Sequence, residues 1–199
     1  EVLRKQLDVS TLVMGYDHRF GHGGGTHEDY IKWGEECGIK VVIAQQFKRH
    51  YASSSEIRRQ LTEGNVAEAA KLLCHPYVLT GTVESGHQVG RTLGFPTANL
   101  RISQEKLIPA TGVYAVMTEL GAGIMNIGRR PTLNNGTNLS IEVHIMNYEG
   151  NLYGKALHLS FIERIREEKK FASLDELKAQ IQEDIKKASV LFDATDKAV

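Results

Sequence analysis

From Tyr77 onward the chain breaks into short apolar, β-branched runs separated by turn residues, and this segmentation limits the fold more than any other feature. The candidate strands are Tyr77 to Glu84, Gly112 to Leu120, Gly123 to Gly128, Leu139 to Met146 and Lys155 to Ile165. In one of them Leu139, Ile141, Val143 and Ile145 alternate with Ser140, Glu142 and His144. A period of two predicts a half-buried strand with its polar side chains on one face. Asn134-Asn135-Gly136 and Glu149-Gly150-Asn151 carry turn chemistry. Several short antiparallel strands with little helix between them predict a small closed barrel. A helix comes after it, with Ser173 and Glu176 as a capping box and Leu174, Leu177, Ile181 and Ile185 as an apolar stripe.

The pattern before His75-Pro76 is different. Thr11 to Gly15 reads as a buried strand, His27 to Cys37 as a helix that Gly38 can cap, and Ile39 to Ala44 as a second strand. Strand, helix, strand is the pattern of a parallel α/β unit. Ser53-Ser54-Ser55 can cap a helix beginning at Glu56, leaving N–H groups free at its start, and Asn65 can cap another through Leu73. The expectation is an α+β chain of two domains, residues 1–75 and 76–199, with the boundary near His75.

Lysine plus arginine balance aspartate plus glutamate at zero net charge, so no general field for nucleic acid or a membrane surface exists. The apolar runs are too short to span a bilayer, and Cys37 and Cys74 have no metal-ligand spacing. Reduced thiols in a cytoplasmic protein are expected. His18, His22 and His27 lie close in sequence without cysteine partners, and loop residues near a ligand describe them better than a metal site.

The chemistry concentrates in Gly81 to Leu100, G-T-V-E-S-G-H-Q-V-G-R-T-L-G-F-P-T-A-N-L. A glycine-rich loop offers unpaired backbone N–H groups suited to phosphate oxygens. It is not a Walker A loop, since no G-K-S/T comes after the glycines, and Pro96 blocks the helix a dinucleotide fingerprint needs. Phosphoryl transfer to an alcohol needs a loop for the ATP phosphates, a hard cation and a base. Gly86, Gly90, Arg91 and Gly94 could serve the first, the oxygen atoms of Thr97 and Asn99 suit Mg²⁺, and Glu142 is a candidate base. Each has an ordinary alternative: a flexible loop, a turn beside proline, a solvated strand carboxylate. Arg164 to Phe171 likewise reads as a charged connection, or as a segment whose Arg166 and Phe171 face a ligand.

Taken together, G-x-x-x-x-G…G-R-x-L-G-F-P-T-A-N-L, N-I-G-x-x-P-T at Asn126 to Thr132, I-E-V-H-I at Ile141 to Ile145, L-Y-G at Leu152 to Gly154 and I-R-x-E-x-K-F at Ile165 to Phe171 resemble riboflavin kinase. The resemblance implies a six-stranded Greek-key barrel with a C-terminal helix. It implies that Thr97 and Asn99 bind Mg²⁺ and the ATP phosphates, with Gly86, Arg91 and Gly94 in the covering loop and Asn147 and Tyr153 at the nucleotide. Glu142 would take the proton from the ribityl 5′-hydroxyl of riboflavin, and Arg166, Lys169 and Phe171 would meet the flavin. ATP and riboflavin are the partners implied, rather than nucleic acid or a membrane.

The first domain is similar to the end of the FMN adenylyltransferase module of bacterial bifunctional FAD synthetases, a Rossmann-like nucleotidyltransferase. Val13 to Gly21 (V-M-G-Y-D-H-R-F-G) resembles its flavin-side loop, with Asp17 and Phe20, although His18 stands where Phe is usual. Ser53 to Arg58 (S-S-S-E-I-R) resembles its phosphate motif, with Ser53, Ser54 and Arg58 as matching residues. The family's H-x-G-H signature does not occur in these residues. A partial first module, with kinase competence and no FMN adenylylation, is therefore expected. Two competing expectations are a non-catalytic flavin- or nucleotide-binding barrel and a barrel for single-stranded nucleic acid. The latter would want a basic groove with stacking aromatics, and only 7% of residues are aromatic.

Overall fold

A computed structural model describes residues 1–19, 24–45, 53–85, 90, 93–130 and 138–196. Phe20, His22, Gly86, Arg91 and the Asn134–Gly136 turn lie outside them. The chain forms two compact units, Glu1–Tyr51 and Ala52–Val199.

In the first unit, β1 (Thr11–Met14) and β2 (Lys40–Ile43) pair in parallel, joined through α1 (His27–Glu36). The strand–helix–strand expectation holds at this level. The N-cap is Thr26, a residue that hydrophobic periodicity does not single out. Its side chain accepts the Asp29 N–H and the Asp29 carboxylate accepts the Thr26 N–H, a reciprocal capping box. Gly38, with φ 68°, stands just past the helix end in the left-handed conformation its lack of Cβ permits. Tyr30 and Gly34 are buried against the strands, whereas Val13 is 65% exposed.

The second unit opens with α2 (Ser54–Glu63) and α3 (Val66–Leu73). Ser53 caps α2, its Oγ accepting the Glu56 N–H at 3.1 Å. Asn65 sits at the N-cap of α3 but makes no capping bond, because its amide donates instead to the Gln60 side chain at 3.0 Å. Both helices share a core with the strands C-terminal to them: Leu61, Val66 and Ala69 are buried together with Leu79 and Phe161. The compact unit thus starts earlier than His75, on account of that shared core.

The barrel comprises β3 (Val78–Glu84), β4 (Ala98–Ile102), β5 (Gly112–Thr118), β6 (Gly121–Arg130), β7 (Asn138–Ile145) and β8 (Ala156–Arg166). It closes in the order β3-β4-β7-β6-β5-β8, all neighbours antiparallel. The run β5-β6-β7 with β4 beside β7 and β8 beside β5 is two overlapping Greek keys. Alternation fills the interior with Leu79, Val83, Leu100, Tyr114, Met125, Val143, Leu157, Leu159 and Phe161. Each such side chain contributes roughly 1.5–3 kcal/mol by leaving water. Periodicity did not single out β4, because it begins just past Pro96 and only Leu100 of A-N-L-R-I is buried.

Helix α4 (Leu174–Asp196) lies on the outer wall, where Ala188 and Phe192 pack against Val113, Ala115 and Ile124. Strand β5 is therefore buried on both faces, which explains its unbroken V-Y-A-V-M run. At the helix start Ser173 Oγ accepts the Glu176 N–H, but the Glu176 carboxylate accepts from Ala172, one residue earlier than a capping box requires. Among the described residues no helix is long and apolar enough to cross a membrane.

Candidate active site

The outer face of the barrel wall carries one cross-strand row. Register pairs Glu84 with Asn99, Asn99 with Glu142, Glu142 with Asn126, Asn126 with Val113, and Val113 with Arg166. Directly opposed residues in antiparallel strands share a face. Their neighbours Val83, Leu100, Val143 and Met125 point into the core, so the row points out. Thus β4, β7 and β8, far apart in sequence, bring the expected metal ligand Asn99, the expected base Glu142 and the flavin-side Arg166 into one line.

Two clefts meet at Thr97, the first on this face and the second reaching the inward-facing Val83, Val143 and Ile145. The first, of about 300 Å³, is lined by Thr97, Asn126, Glu142, His144, Arg166, Lys169 and Phe171 among others. The second, of about 600 Å³, is lined by Pro96, Thr97, Tyr148, Glu149, Asn151 and Tyr153 among others. Residues expected at the flavin fall in the first and Tyr153, expected at the nucleotide, in the second, with Thr97 common to both. Asn147 lies in the turn after β7 with φ 56°, beside the second cleft's Tyr148. Gly94, with φ 87°, turns the chain just before Phe95 and Thr97, a conformation other residues adopt only with strain.

Glu142 is half-buried and held at both oxygens. Ser140 Oγ donates to Oε1 at 2.9 Å, and Thr97 Oγ1 approaches Oε2 at 3.4 Å. A carboxylate tied in this way keeps a fixed lone-pair direction, which a base needs. His144, two residues on, contacts the Pro96 carbonyl through Nδ1 at 2.9 Å and meets the Phe95 ring edge-on at 5.7 Å. It anchors the segment that carries Thr97 to the strand that carries Glu142. The Thr97 hydroxyl and the Asn99 amide oxygen are hard oxygen donors, the chemistry Mg²⁺ selects, and the Glu142 carboxylate stands beside Thr97. The residues therefore fit that cation.

On the far wall, Arg166 donates to both oxygens of Asp184 at 2.8–3.0 Å, and Gln180 donates to the same carboxylate at 3.0 Å. The Arg166 guanidinium and the Lys169 ammonium each lie 5.7 Å from the centre of the Phe171 ring. Glu168 reaches across β6 to accept the Arg129 N–H at 3.2 Å. A Cβ at Gly128 would stand 2.7 Å from the Glu168 carboxylate, which would have to move aside.

Asn126, His144, Phe95, Glu168 and Asp184 were not singled out from the sequence. All but Asp184 stand inside the motifs that carry the family resemblance, so motif membership was the available signal. Asp184 had one too, a charge within the apolar stripe of α4. Of the first-module residues, Asp17 is exposed in the turn after β1, while Ser54 and Arg58 are exposed on α2 in the second unit.

Comparison with known proteins identifies the family of this barrel. The sequence matches the family described as "Flavokinase: Riboflavin kinase" over residues 73–192. The bifunctional riboflavin kinase/FMN adenylyltransferase of Escherichia coli K12 is 39% identical over 208 residues, covering 100% of this chain and 65% of that protein. The protein of the same name from Bacillus subtilis 168 is 37% identical, covering 94% and 61%. The chain thus spans somewhat under two thirds of these curated relatives' length. A solved structure titled as a macrolide-efflux protein from Streptococcus pneumoniae superposes with a TM-score of 0.81 at 33% identity, covering 92% of this chain and 60% of that one. With the match spanning the whole barrel and most of the C-terminal helix, this chain belongs to the riboflavin kinase family.

Proposed function

We propose that this chain transfers the γ-phosphoryl group of ATP to the ribityl 5′-hydroxyl of riboflavin, giving FMN and ADP. The observation that carries the proposal is the placement of Glu142 and Thr97 where the two clefts meet, 3.4 Å apart. A nucleotide in the cleft of Tyr153 and a flavin in the cleft of Phe171 would bring phosphate and hydroxyl together there. The Glu142 carboxylate takes the hydroxyl proton as the 5′-oxygen bonds to phosphorus and the bond to the β,γ-bridging oxygen breaks. Thr97 and Asn99 would hold Mg²⁺, which supplies charge neutralisation at the phosphates when bound. Gly86, Arg91 and Gly94 cover the phosphates, Asn147 and Tyr153 contact the nucleotide, and Arg166, Lys169 and Phe171 contact the flavin.

Comparing FMN formation by the intact chain and by Glu142→Ala tests this. Equal conversion of riboflavin by both would remove Glu142 as the base and leave a binding scaffold.

We further propose that residues 1–75 are part of an FMN adenylyltransferase module of Rossmann-like fold. The curated relatives' names and the parallel β1–α1–β2 unit support this reading. On it, α2 and α3 belong to the first module in sequence while packing on the second. These residues hold no H-x-G-H, so the segment by itself does not adenylylate FMN. Formation of FAD from FMN, ATP and Mg²⁺ would overturn that.

A further inference from the structure

We infer that Asp184 is a positioning residue for the flavin side of the site: acting through Arg166 and Phe171, it sets the affinity for the flavin and leaves the nucleotide side alone. The inference rests on the riboflavin kinase reading of the site.

Asp184 stands three residues after Ile181 and four before Ala188, on the stripe by which α4 packs on the barrel. A leucine would serve that packing. The carboxylate is instead 1% exposed, with Arg166 at 19%. A buried ion pair returns little stability compared with apolar side chains of the same size, because both charges lose their water. What an apolar pair cannot supply is direction. Arg166 gives Nε–H and an Nη2–H to the two Asp184 oxygens, and its Nη1 donates to the Glu167 carbonyl at 2.9 Å. Such a bidentate grip fixes the guanidinium plane. Gln180, one turn earlier on α4, fixes the carboxylate in turn.

The oriented guanidinium backs the Phe171 ring, with Lys169 also near it. Phe171, Lys169 and Arg166 line the first cleft with Asp184 behind them, and none of the four lines the second. Loss of the grip therefore frees an aromatic wall of one cleft only. A role limited to stability would weaken both substrates alike.

The test is steady-state kinetics and riboflavin titration, by quenching of flavin fluorescence, on the 199-residue chain and its Asp184→Asn and Gln180→Ala variants. Asp184→Asn keeps shape and loses charge, so the KM and Kd for riboflavin rise roughly tenfold while the KM for ATP holds. Gln180→Ala gives a smaller rise, roughly threefold, in the same two quantities. A folded Asp184→Asn chain with unchanged riboflavin affinity, or with equal losses for both substrates, overturns the inference. Should that variant not fold, unchanged riboflavin affinity in Gln180→Ala overturns it. If the unaltered chain neither binds nor phosphorylates riboflavin, the riboflavin kinase reading fails, and this inference with it.

Discussion

The two faces of the barrel wall are made by the same strands and answer to opposite demands. On β7, Ile141, Val143 and Ile145 point inward and are at most 6% exposed. Ser140, Glu142 and His144 point outward, and two of them line a cleft. The inner face tolerates only apolar volume and decides whether the barrel exists. The outer face is free to carry charge because water, a ligand or α4 covers it. One residue of slip would exchange the faces, so register ties the chemistry to the core.

The comparison can be broken where it claims most. Glu142→Ala lowers kcat by roughly 10²- to 10⁴-fold, the usual worth of a general base, with the melting temperature nearly unchanged. A large fall in stability would place Glu142 with the inner face. Leu159→Ala is the reverse case. Leu159 is 0% exposed, and its truncation costs about 2–5 kcal/mol in denaturant unfolding, with the riboflavin KM of the folded fraction unaltered. The two clefts form a second division, the first on the outer face and the second reaching inward-facing Val83, Val143 and Ile145. Phe171→Ala raises the KM for riboflavin and Tyr153→Ala the KM for ATP, each by roughly 3- to 10-fold, a ring contact's worth. If either variant moves both constants together, the clefts do not act separately.

The smallest effect lies away from both faces, on α2. Hydrogen bonds from Arg59 and then Gln60 hold the Glu56 carboxyl down at about 2. A depressed carboxyl stabilises the fold fully above the ordinary glutamate range, and that share is lost as pH falls toward 2. Thermal melts of the intact chain and Glu56→Gln should differ slightly at pH 7 and converge near pH 2. The pair is exposed, so salt should shrink even that difference.

Much of the inner face was legible from spacing. Ile141 to Ile145 alternates because one side is dry, whereas Leu139 at the strand's start is 45% exposed, and β5 runs unbroken because α4 covers its back. The strand at Ala98 was not legible, since Pro96 and a single buried Leu100 leave no period to read. The site was legible as residues and illegible as a site. Gly94, Thr97, Asn99 and Glu142 each have an ordinary alternative in the sequence, and only the pairing of β4 with β7 sets Asn99 opposite Glu142. Asp184 shows the limit: a charge in an apolar stripe is visible in sequence, yet its partner Arg166 is 18 residues away on a strand.

What the sequence by itself determined is therefore local: the alternation of strands, the turns between them, the stripe of the last helix, and the motifs that name the family. Those arise from side-chain period and backbone chemistry, which act between near neighbours. Only the tertiary structure decided that Asn99, Glu142, Asn126 and Arg166 share one row, and that Thr97 belongs to two clefts. Register across a closed barrel is set by the whole interior at once, and no short stretch of chain contains it.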